Sequence, residues 1–540
     1  MKQLYKGYDV MRNNDEIKRQ KSLFDDGISD EEYFNIELKK QRKQYRKALE
    51  LEWDKYNHDN YYTKSIAERE YGFAGVYGEI TKQLTNKIMN KNFNIKINNY
   101  NFNDGYYSEN FNAQIILNNE QKKVFYIMEN SHESIFICGK AGAGKSEVLK
   151  YFIKNTKKEI LVTAFTGVAA LNIGGQTLHS LFLLENGIQR LDDEKNYNLP
   201  IKIKKLLQSV DTIVVDEASM ISSDIIEMID RKCKNALGNG LPFGGIQFIF
   251  FGDLYQLPPI VDYKTRNYLK KNLGGVFFFN APIIRSMNIR TFELENIFRQ
   301  KDYEFKNLLN DIRVGHNDIY ILNKINERVL PAPTDGEIIT LCARREPVNK
   351  INKIKLNEID NKEFVYYGEI KGKVKENSLP VDKELHLKVG AQIMMVVNEN
   401  KSGNWVNGSL GVITELFDNA IKVKIDGKEH LVNQNLWSYE DYGIDEETGK
   451  ITKKVVGSFE QFPIKLAWAV TIHKSQGKTY KSVVIDLDEG AFSPGQVYVG
   501  LSRCTSLEGI YLKRPIRREE ICVSNEVIDF VDSIQTIKLN

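Results

Sequence analysis

The stretch Ile135-Phe-Ile-Cys-Gly-Lys-Ala-Gly-Ala-Gly-Lys-Ser146 determines how the rest of the chain is interpreted. Its apolar start is followed by a glycine-rich segment that satisfies the G-x-x-x-x-G-K-[ST] phosphate-loop pattern. Glycines let successive backbone N–H groups curl around an anion, and the N-terminus of a following helix adds a favourable partial charge. The stretch therefore predicts a strand, a phosphate-binding loop and a helix, and with them a nucleoside triphosphate site.

Individual residues of this loop have separate expected tasks. Lys145 can reach the β- and γ-phosphates, and the Ser146 hydroxyl can ligate Mg²⁺. The segment after the loop carries a helical apolar stripe that includes Val148 and Phe152, so the required strand–loop–helix setting is present. The residues expected to form the phosphate cradle itself are Gly139, Gly142, Ala143 and Gly144.

Composition bounds the class of protein. The 540 residues carry a net charge of only +3, so a nucleic-acid site would have to be a local channel. The five cysteines are far apart and contain no C-x-x-C pair, which favours reduced core thiols over disulfides or a metal site. Apolar runs are too short to span a membrane and the N-terminus carries early acidic residues. We expect a cytoplasmic protein with no membrane partner; a nucleoid or a viral replication site is compatible.

Residues 1–112 differ from the rest of the chain in composition. They are charged and rich in Asn and Tyr, and residues 92–112 are an Asn-rich, low-complexity stretch that we interpret as a linker. Ser29-Asp-Glu-Glu32 is a candidate capping box for a long helix that continues through Trp53. This mainly helical N-terminal extension is either a solvated arm or, through residues 1–110, a docking site for DNA or a protein partner.

Three apolar strands after the loop end in polar residues. Thr212-Ile-Val-Val-Asp-Glu217 ends in two carboxylates: Asp216 would hold Mg²⁺, and Glu217 would polarise the attacking water. The strand at 246–251 leads to Gln256, whose amide can sense a γ-phosphate at short range. The strand at 159–164 leads to Phe165 and Thr166, which suit contact with a sugar-phosphate backbone as well as an ordinary turn. The pattern predicts a parallel sheet with its sites at the carboxyl ends of the strands.

Alternating strands and helices begin again after Leu294, with strand candidates at 338–342, 393–397 and 483–487 and no second phosphate loop. Between residues 411 and 460 short alternating strands and turn signals indicate a small β insertion. An α/β fold with two lobes, one carrying the nucleotide site and the other contributing arginines, implies that the site lies at their interface.

The ordered stretches resemble superfamily 1 helicases of the RecD/PIF-type branch over roughly residues 115 to 512. The motifs that carry the resemblance are Gly-Lys-Ala-Gly-Ala-Gly-Lys-Ser, Ala-Phe-Thr-Gly-Val-Ala-Ala, Asp-Glu-Ala-Ser-Met, Gly-Asp-Leu-Tyr-Gln-Leu-Pro-Pro, Thr-Ile-His-Lys-Ser-Gln-Gly and Tyr-Val-Gly-Leu-Ser-Arg. Pro242-Phe-Gly-Gly-Ile-Gln247 resembles the signature of the PIF family itself. One departure is Arg344-Arg345, where the family usually has Thr-Asn.

The resemblance implies two RecA-like P-loop NTPase lobes. Domain 1A would span residues 113–290 with a small wedge-bearing 1B insertion at about 181–207, and domain 2A would span 291–540 with an SH3-like 2B insertion at about 400–460. The nucleotide residues it implies are Gln121 reading adenine, Lys145 and Ser146 on the phosphates and Mg²⁺, Asp216 on the metal, Glu217 as base, Gln256 coupling the γ-phosphate to DNA, and Arg299 and Arg503 as arginine fingers from the second lobe. The implied DNA track consists of Phe165, Thr166, His179, Thr471, His473 and Lys474.

The function implied by the resemblance is an ATP- and Mg²⁺-dependent DNA helicase that moves 5′→3′ on single-stranded DNA. Its expected substrates are forked or tailed duplexes, and its expected motor unit is a monomer. An ssDNA-stimulated translocase that displaces proteins or anneals strands would carry the same catalytic residues. A non-enzymatic scaffold with a degenerate motor is disfavoured by the intact Lys145, Glu217, Arg299 and Arg503, and RNA is a weaker alternative substrate.

Overall fold

The computed structural model describes residues 117–540 except 186, 288, 301, 334–337, 375, 377–378, 398, 400–404, 445–450, 535 and 539–540. The predicted N-terminal extension and linker, residues 1–112, lie outside the described residues. In the part of the chain that the structure describes, no helix is both long and apolar enough to cross a bilayer.

The first lobe is formed mainly by residues 117–294. Its helices and strands are α1 (Asn119–Asn130), β1 (Ile135–Gly139), α2 (Lys145–Asn155), β2 (Ile160–Ala164), α3 (Gly167–Asn172), β3 (Gln176–Thr177), α4 (Leu178–Leu181), α5 (Ile201–Ser209), β4 (Thr212–Asp216), α6 (Ser223–Leu237), β5 (Gln247–Gly252), α7 (Tyr263–Leu273), α8 (Pro282–Met287) and β6 (Arg290–Leu294).

The remaining elements form the second lobe, a β insertion and a return to the first lobe. They are α9 (Tyr303–Arg313), α10 (Ile319–Asn326), β7 (Ile339–Cys342), α11 (Arg345–Asn357), β8 (Phe364–Tyr367), β9 (Glu369–Gly372), β10 (Glu384–Leu387), β11 (Gln392–Met395), β12 (Leu410–Leu416), β13 (Ile421–Ile425), β14 (Lys428–Val432), β15 (Asn435–Ile444), β16 (Ile451–Gln461), β17 (Ile464–Leu466), β18 (Ala469–Thr471), β19 (Val483–Asp486), α12 (Gln496–Leu501), β20 (Ile510–Leu512), α13 (Asn525–Ser533) and β21 (Thr536–Lys538).

The first lobe is built on a seven-stranded parallel sheet in the order β21-β6-β1-β5-β4-β2-β3. Side chains alternate between its two faces, so Ile135 and Ile137 of β1 join one apolar core while Phe136 joins the other. Burial on both faces explains the continuous apolar runs that predicted these strands. The carboxyl ends of β1, β2, β4 and β5 meet at one edge, where every predicted nucleotide loop begins.

The domain boundary predicted after residue 290 is wrong in detail. Strand β6 pairs in parallel with β1, from Ile135 opposite Arg290 to Gly139 opposite Leu294, so it belongs to the first lobe. Strand β21 then pairs with β6, and Phe530 of α13 stacks on Phe279 with ring centroids 4.2 Å apart. The C-terminus therefore returns to the first lobe, a non-local pairing that local sequence patterns do not report.

The second lobe has a four-stranded parallel sheet in the order β18-β7-β19-β20. The predicted strands at 338–342 and 483–487 are present as β7 and β19. The strand predicted at 393–397 is present as β11, but it pairs antiparallel with β12 and β17 and therefore belongs to the β insertion. Its apolar run had the same appearance as a parallel core strand because it is buried along its whole length.

The β insertion is larger than the predicted 400–460. It extends from β8 to β17 and contains a five-stranded antiparallel sheet, the ribbon β15-β16-β9 and the pair β10-β8. Strand β15, which belongs to the three-stranded ribbon of the insertion, lies against helix α5 of the first lobe. Residues 181–207, predicted as the small 1B insertion within domain 1A, place Leu191, Leu199, Leu206 and Leu207 in the same core as Phe136, so this segment packs as part of the first lobe.

Candidate active site and adjoining cleft

The glycine-rich loop lies between the end of β1 and the first turn of α2. Gly142 and Gly144 have φ angles of 83° and 79°, a left-handed conformation that L side chains rarely adopt. A Cβ at Gly142 would lie 2.6 Å from the Cβ of Arg299, and a Cβ at Gly144 would lie 2.4 Å from Nε2 of Gln121. Glycine is therefore required at both positions by backbone conformation and by space.

Lys145 begins α2 beneath this loop. Its Nζ donates hydrogen bonds to the carbonyl oxygens of Gly139 at 2.6 Å and Lys140 at 3.2 Å. Burial lowers the pKa of Lys145, and the nearest negative charges, Asp253 and Glu217, oppose that shift. An ammonium held under a cradle of backbone N–H groups suits a phosphate anion. The Ser146 hydroxyl stands beside it at the cleft surface.

The acidic pair lies where β4 ends. Asp216 accepts a hydrogen bond from the backbone N–H of Glu217 at 2.9 Å, and Glu217 adopts a left-handed φ of 56° that turns the chain sharply after the strand. Burial raises the pKa of both carboxyls, and the charge of Asp216 helps to raise the pKa of Glu217 to about 7. A carboxylate whose pKa lies near neutrality is suited to accept a proton from water.

The second lobe reaches into this edge of the sheet through two side chains that the sequence did not single out. The Tyr498 hydroxyl accepts a hydrogen bond from the backbone N–H of Ala141 at 3.0 Å and donates to Oδ2 of Asp253 at 3.3 Å. The Gln476 amide donates to Oε2 of Glu217 at 2.8 Å and to Oε1 of Gln256 at 3.0 Å. Both contacts join residues more than two hundred positions apart, so only tertiary structure reveals them.

Asp253 is anchored by a buried arginine. Arg313 of α9 approaches Oδ1 of Asp253 to 3.0 Å, and Gln256 donates to Oδ2 at 3.2 Å. Burial alone would raise the pKa of Asp253, but the Arg313 and Lys145 charges outweigh it and lower that pKa. Arg313 therefore fixes the position of Asp253 at the carboxyl edge of the sheet. The sequence did not indicate this role, because an arginine at the end of an amphipathic helix is usually exposed to solvent.

The two predicted arginine fingers line the cleft, and Arg299 lies against the phosphate loop at Gly142. Arg503 is buried just after α12; its Nε donates to the carbonyl oxygen of Val499 at 2.9 Å and its Nη2 to Oγ of Ser502 at 2.8 Å. Arg299 donates from Nη1 to the carbonyl oxygen of Ser502 at 3.3 Å. Burial and the Arg299 charge lower the pKa of Arg503 to about 9. Arg299 lies on the segment between β6 and α9, so it reaches the loop from the connection between the lobes.

Gln121 lies in the first turn of α1, against the loop. Its Oε1 accepts a hydrogen bond from the backbone N–H of Asn118 at 3.0 Å, and its own N–H donates to the Asn118 side chain at 2.8 Å, which completes a capping box. Its Nε2 faces Gly144. The cap orients the amide toward the nucleotide loop, while its reading of adenine stays a prediction.

Ser146 and Asp216 both line the cleft next to the loop, and their chemistry fits Mg²⁺. This ion binds one or two protein oxygens together with substrate phosphates and water, so one hydroxyl and one carboxylate are an adequate protein share.

One continuous cleft of about 2740 Å³ connects this site to the second lobe and the β insertion. All the predicted site residues line it except two: Gly139 lies under the loop, and His179 packs edge-on against Phe165 at 5.8 Å between ring centroids. Across the cleft, the Thr471 hydroxyl accepts a hydrogen bond from the Lys474 N–H at 3.2 Å, and His473 stacks on Phe492 at 6.1 Å. The predicted tracks from both lobes thus face one channel.

Two further lysines stand in this channel beside Lys474. Burial, together with the positive charges of their neighbours, lowers the pKa of Lys465 and of Lys478 to about 8 in each case. We call Lys465, Lys474 and Lys478 the lysine cluster. The Lys478 ammonium also contacts Sδ of Met394 at 3.3 Å. The cluster supplies the local positive charge that the near-neutral chain as a whole lacks. No linear motif predicted it, because Lys465 lies on β17, apart in sequence from Lys474 and Lys478.

Fold and site together define the class: a P-loop ATPase whose nucleotide cleft is completed by a second RecA-like lobe. Residues 116–320 match the family model described as PIF1-like helicase, and residues 369–416 match the one described as DNA helicase Pif1, 2B domain. The chain belongs to the PIF1-like helicase family. The second match also corrects the position of the 2B insertion, which begins well before the predicted residue 400.

Relatives and solved structures agree with this assignment. The ATP-dependent DNA helicase Pif1 of Bdellovibrio bacteriovorus is 32% identical over 409 residues, which cover 74% of this chain and 88% of that protein. The structure of a Bacteroides sp Pif1 in complex with ADP-AlF4 is similar with a TM-score of 0.73 and 38% identity, covering 78% of this chain and 97% of that one. The Pif1 helicase structure from Candida albicans has a TM-score of 0.61 and 32% identity, covering 78% and 99%.

Proposed function

We propose that this chain is an ATP-dependent DNA helicase that moves 5′→3′ along single-stranded DNA and unwinds tailed or forked duplexes. The observation that carries the proposal is the single cleft in which the phosphate loop, the acidic pair and polar residues of both lobes meet. Family membership supports the helicase activity. Solved relatives include Bacteroides Pif1 bound to ssDNA and a structure described as DNA unwinding at forked dsDNA by two coordinating Pif1 helicases, which supports the same DNA partners for this chain.

Hydrolysis would take place at the edge of the first sheet. The loop N–H groups and Lys145 hold the phosphates, and Glu217 accepts the proton of the attacking water. Ser146 and Asp216 would hold Mg²⁺, which when bound neutralises charge on the phosphate oxygens. Arg299 and Arg503 stabilise the charge that develops on the transferred phosphoryl group.

A change of hydrogen-bond acceptors by three cationic side chains would link nucleotide binding to movement of the lobes. Lys145, Arg299 and Arg503 each donate to backbone carbonyl oxygens. A polyphosphate adds negative charge on the acceptor, so a cationic donor interacts with a phosphate oxygen more strongly than with a neutral carbonyl oxygen, and these donors exchange their carbonyl partners for phosphate oxygens. Because Arg503 belongs to the second lobe and Lys145 to the first, a nucleotide that satisfies both draws the lobes together, and hydrolysis releases them.

Single-stranded DNA would lie along the same cleft. Phe165 and His473 offer aromatic faces on which bases of any sequence can stack, while Thr166, Thr471 and Lys474 suit phosphate and sugar contacts. Within the described residues, Nε2 of His473 is buried without a hydrogen-bond partner. That unsatisfied nitrogen points to a ligand contact. His179 supports Phe165 from behind the track, and the lysine cluster adds phosphate contacts from the second lobe and the insertion.

An ssDNA-stimulated translocase that displaces proteins or anneals strands is the second candidate, because it would use the same catalytic residues. The monomer is the proposed motor unit, since one chain supplies both lobes and both arginines. A protein partner that binds residues 1–110 completes the proposal.

The test is strand displacement on matched partial duplexes with a 5′ tail, a 3′ tail or no tail, in ATP and Mg²⁺. Lys145→Ala is the catalytic control. Lys154→Ala is the matched control, because Lys154 lies on the same helix α2 but is exposed and away from the loop. Unwinding of the 5′-tailed duplex alone, lost only in Lys145→Ala, would establish activity and polarity. ATP hydrolysis stimulated by ssDNA without unwinding would favour the translocase, and unwinding from 3′ tails would refute the polarity.

A further inference from the structure

Gln476 joins the two halves of the cleft. Its Nε2 donates one hydrogen bond to Oε2 of Glu217 at 2.8 Å and another to Oε1 of Gln256 at 3.0 Å. Glu217 and Gln256 follow strands β4 and β5 of the first lobe, whereas Gln476 follows β18 of the second. One amide group therefore connects the second lobe directly to the proposed base and to the proposed phosphate sensor.

The backbone around Gln476 ties it to the predicted DNA track. Strand β18 ends at Thr471, a single 3-10 turn covers His473–Ser475, and Gln476 follows at once. Two hydrogen bonds hold the turn. The backbone N–H of Lys474 donates to the Thr471 hydroxyl at 3.2 Å, and the Ser475 hydroxyl donates to the carbonyl oxygen of Ile472 at 2.7 Å. Because Ser475 is buried and the turn is internally bonded, a shift of His473 and Lys474 carries Gln476 with it.

On the first lobe, Gln476 completes the orientation of Gln256. The Gln256 amide donates to Oδ2 of Asp253 at 3.2 Å, and Asp253 is fixed by the buried Arg313. Its carbonyl end is held by Gln476 alone among the hydrogen bonds of the described residues. The relative placement of Glu217 and Gln256 is thus determined on one side by the first lobe and on the other by a residue attached to the DNA track.

We propose that Gln476 is the positioning residue through which single-stranded DNA on the Thr471–Lys474 segment aligns Glu217 and Gln256 for ATP hydrolysis. This inference rests on the proposed function, because it takes Glu217 as the base and the segment as a DNA contact. Gln476 reaches the reaction only through these two residues, so its loss should affect the coupling of DNA to hydrolysis more than the binding of either ligand.

The experiment compares Gln476→Met with the wild type in the full chain. Methionine keeps the length of the side chain and removes both donors. Gln461→Met is the matched control, because Nε2 of Gln461 also donates to two acceptors, the carbonyl oxygens of Tyr366 and Lys383 at 3.0 Å each, inside the β insertion and away from the cleft. The readouts are kcat with and without oligo(dT), KM for ATP, and the oligo(dT) concentration that gives half-maximal stimulation.

We expect Gln476→Met to reduce the ratio of kcat with oligo(dT) to kcat without it by about tenfold, or to one, as the loss of a hydrogen bond to a charged group would. KM and the half-maximal oligo(dT) concentration should stay within about twofold of wild type, because ligand contacts are retained. Gln461→Met should keep the wild-type ratio. A merely structural role would instead lower activity with and without DNA together.

A wild-type ratio in Gln476→Met overturns the inference, and so does a loss of stimulation explained entirely by weaker oligo(dT) binding. If oligo(dT) does not stimulate ATP hydrolysis by the wild type, the proposed function itself is refuted, and this outcome is distinct from a failure of the inference about Gln476. If thermal melting shows that Gln476→Met is not folded, Gln476→Glu is tested in its place. Glutamate retains the shape of the side chain and replaces the two N–H donors with an acceptor beside Glu217. Its ratio should also collapse, and a wild-type ratio there refutes the role of Gln476.

Discussion

Binding of single-stranded DNA should weaken steeply as pH rises from 7 to 9, because Lys465 and Lys478 of the lysine cluster lose their charge in this range. The pKa of Lys465 and of Lys478 is lowered to about 8, first by burial and then by the neighbouring lysines, with Asp382 opposing the shift at Lys465. Both are largely protonated at pH 7 and largely neutral at pH 9. A phosphate bound between them favours the protonated form, so binding takes up protons and affinity falls as pH passes through 8.

The size of the effect follows from the lowered pKa. If one lysine has a pKa near 8 in the free protein and its ordinary pKa in the complex, the affinity of the protein for DNA falls about tenfold between pH 7 and 9. The reason is that each unit of pKa difference corresponds to a factor of ten in the equilibrium constant. Two such lysines set an upper bound of roughly a hundredfold. Mutual repulsion within the cluster reduces this bound, since the loss of one proton stabilises the charge on the other lysine.

The assay is fluorescence anisotropy with a labelled oligo(dT) at constant ionic strength, since phosphate contacts are also salt-dependent. The matched variant is Lys465→Arg with Lys478→Arg, because guanidinium groups stay charged throughout this range. The wild type should lose affinity with rising pH, and the double variant should lose much less. Equal pH dependence of the two proteins, or none in the wild type, would refute the assignment of this titration to Lys465 and Lys478.

Three further outcomes are expected. Asp253→Ala should lower the free energy of unfolding by about 3–5 kcal/mol in denaturant titrations, because it removes the close carboxylate of the buried Arg313 and leaves that guanidinium only Glu293 at 3.9 Å; a loss near 1 kcal/mol would contradict this. Gly142→Ala should raise KM for ATP and reduce stability by about 1–3 kcal/mol, since it places a Cβ in a left-handed conformation against Arg299; wild-type kinetics would speak against it. Phe530→Leu should cost about 0.5–1.5 kcal/mol in thermal unfolding through the lost stacking on Phe279, and an unchanged midpoint would argue against docking of the C-terminal helix.

Much of the nucleotide site could be predicted because its signals are local. The phosphate loop needs glycines next to a strand and a helix, and these stand within twelve consecutive residues. Asp216 and Glu217 directly follow an apolar strand, so their place at the carboxyl edge of the sheet follows from the strand itself. Gln121 likewise lies in a capping box that spans only four residues.

The residues that sequence reasoning missed act through long-range contacts. Arg313 pairs with Asp253 across 60 residues, Gln476 reaches Glu217 across 259, and Tyr498 reaches Ala141 across 357. Gln476 and Tyr498 stand inside motifs that carry the family resemblance, and Arg313 ends an amphipathic helix, but no local pattern indicates which residue each contacts across the cleft. The boundary of the first lobe was misplaced for the same reason, since the pairing of β21 with β6 leaves no mark on the local pattern.

The sequence by itself therefore determined the class of chemistry, the α/β character of both lobes and the existence of a β insertion, because phosphate cradles and buried strands impose residue types on contiguous stretches. Only the tertiary structure decided the strand order, the return of the C-terminus to the first lobe, the lysine cluster and the Gln476 connection. These depend on which side chains meet across the cleft, and burial at such a meeting point then lowers the pKa of Lys465 and Lys478 and raises that of Glu217.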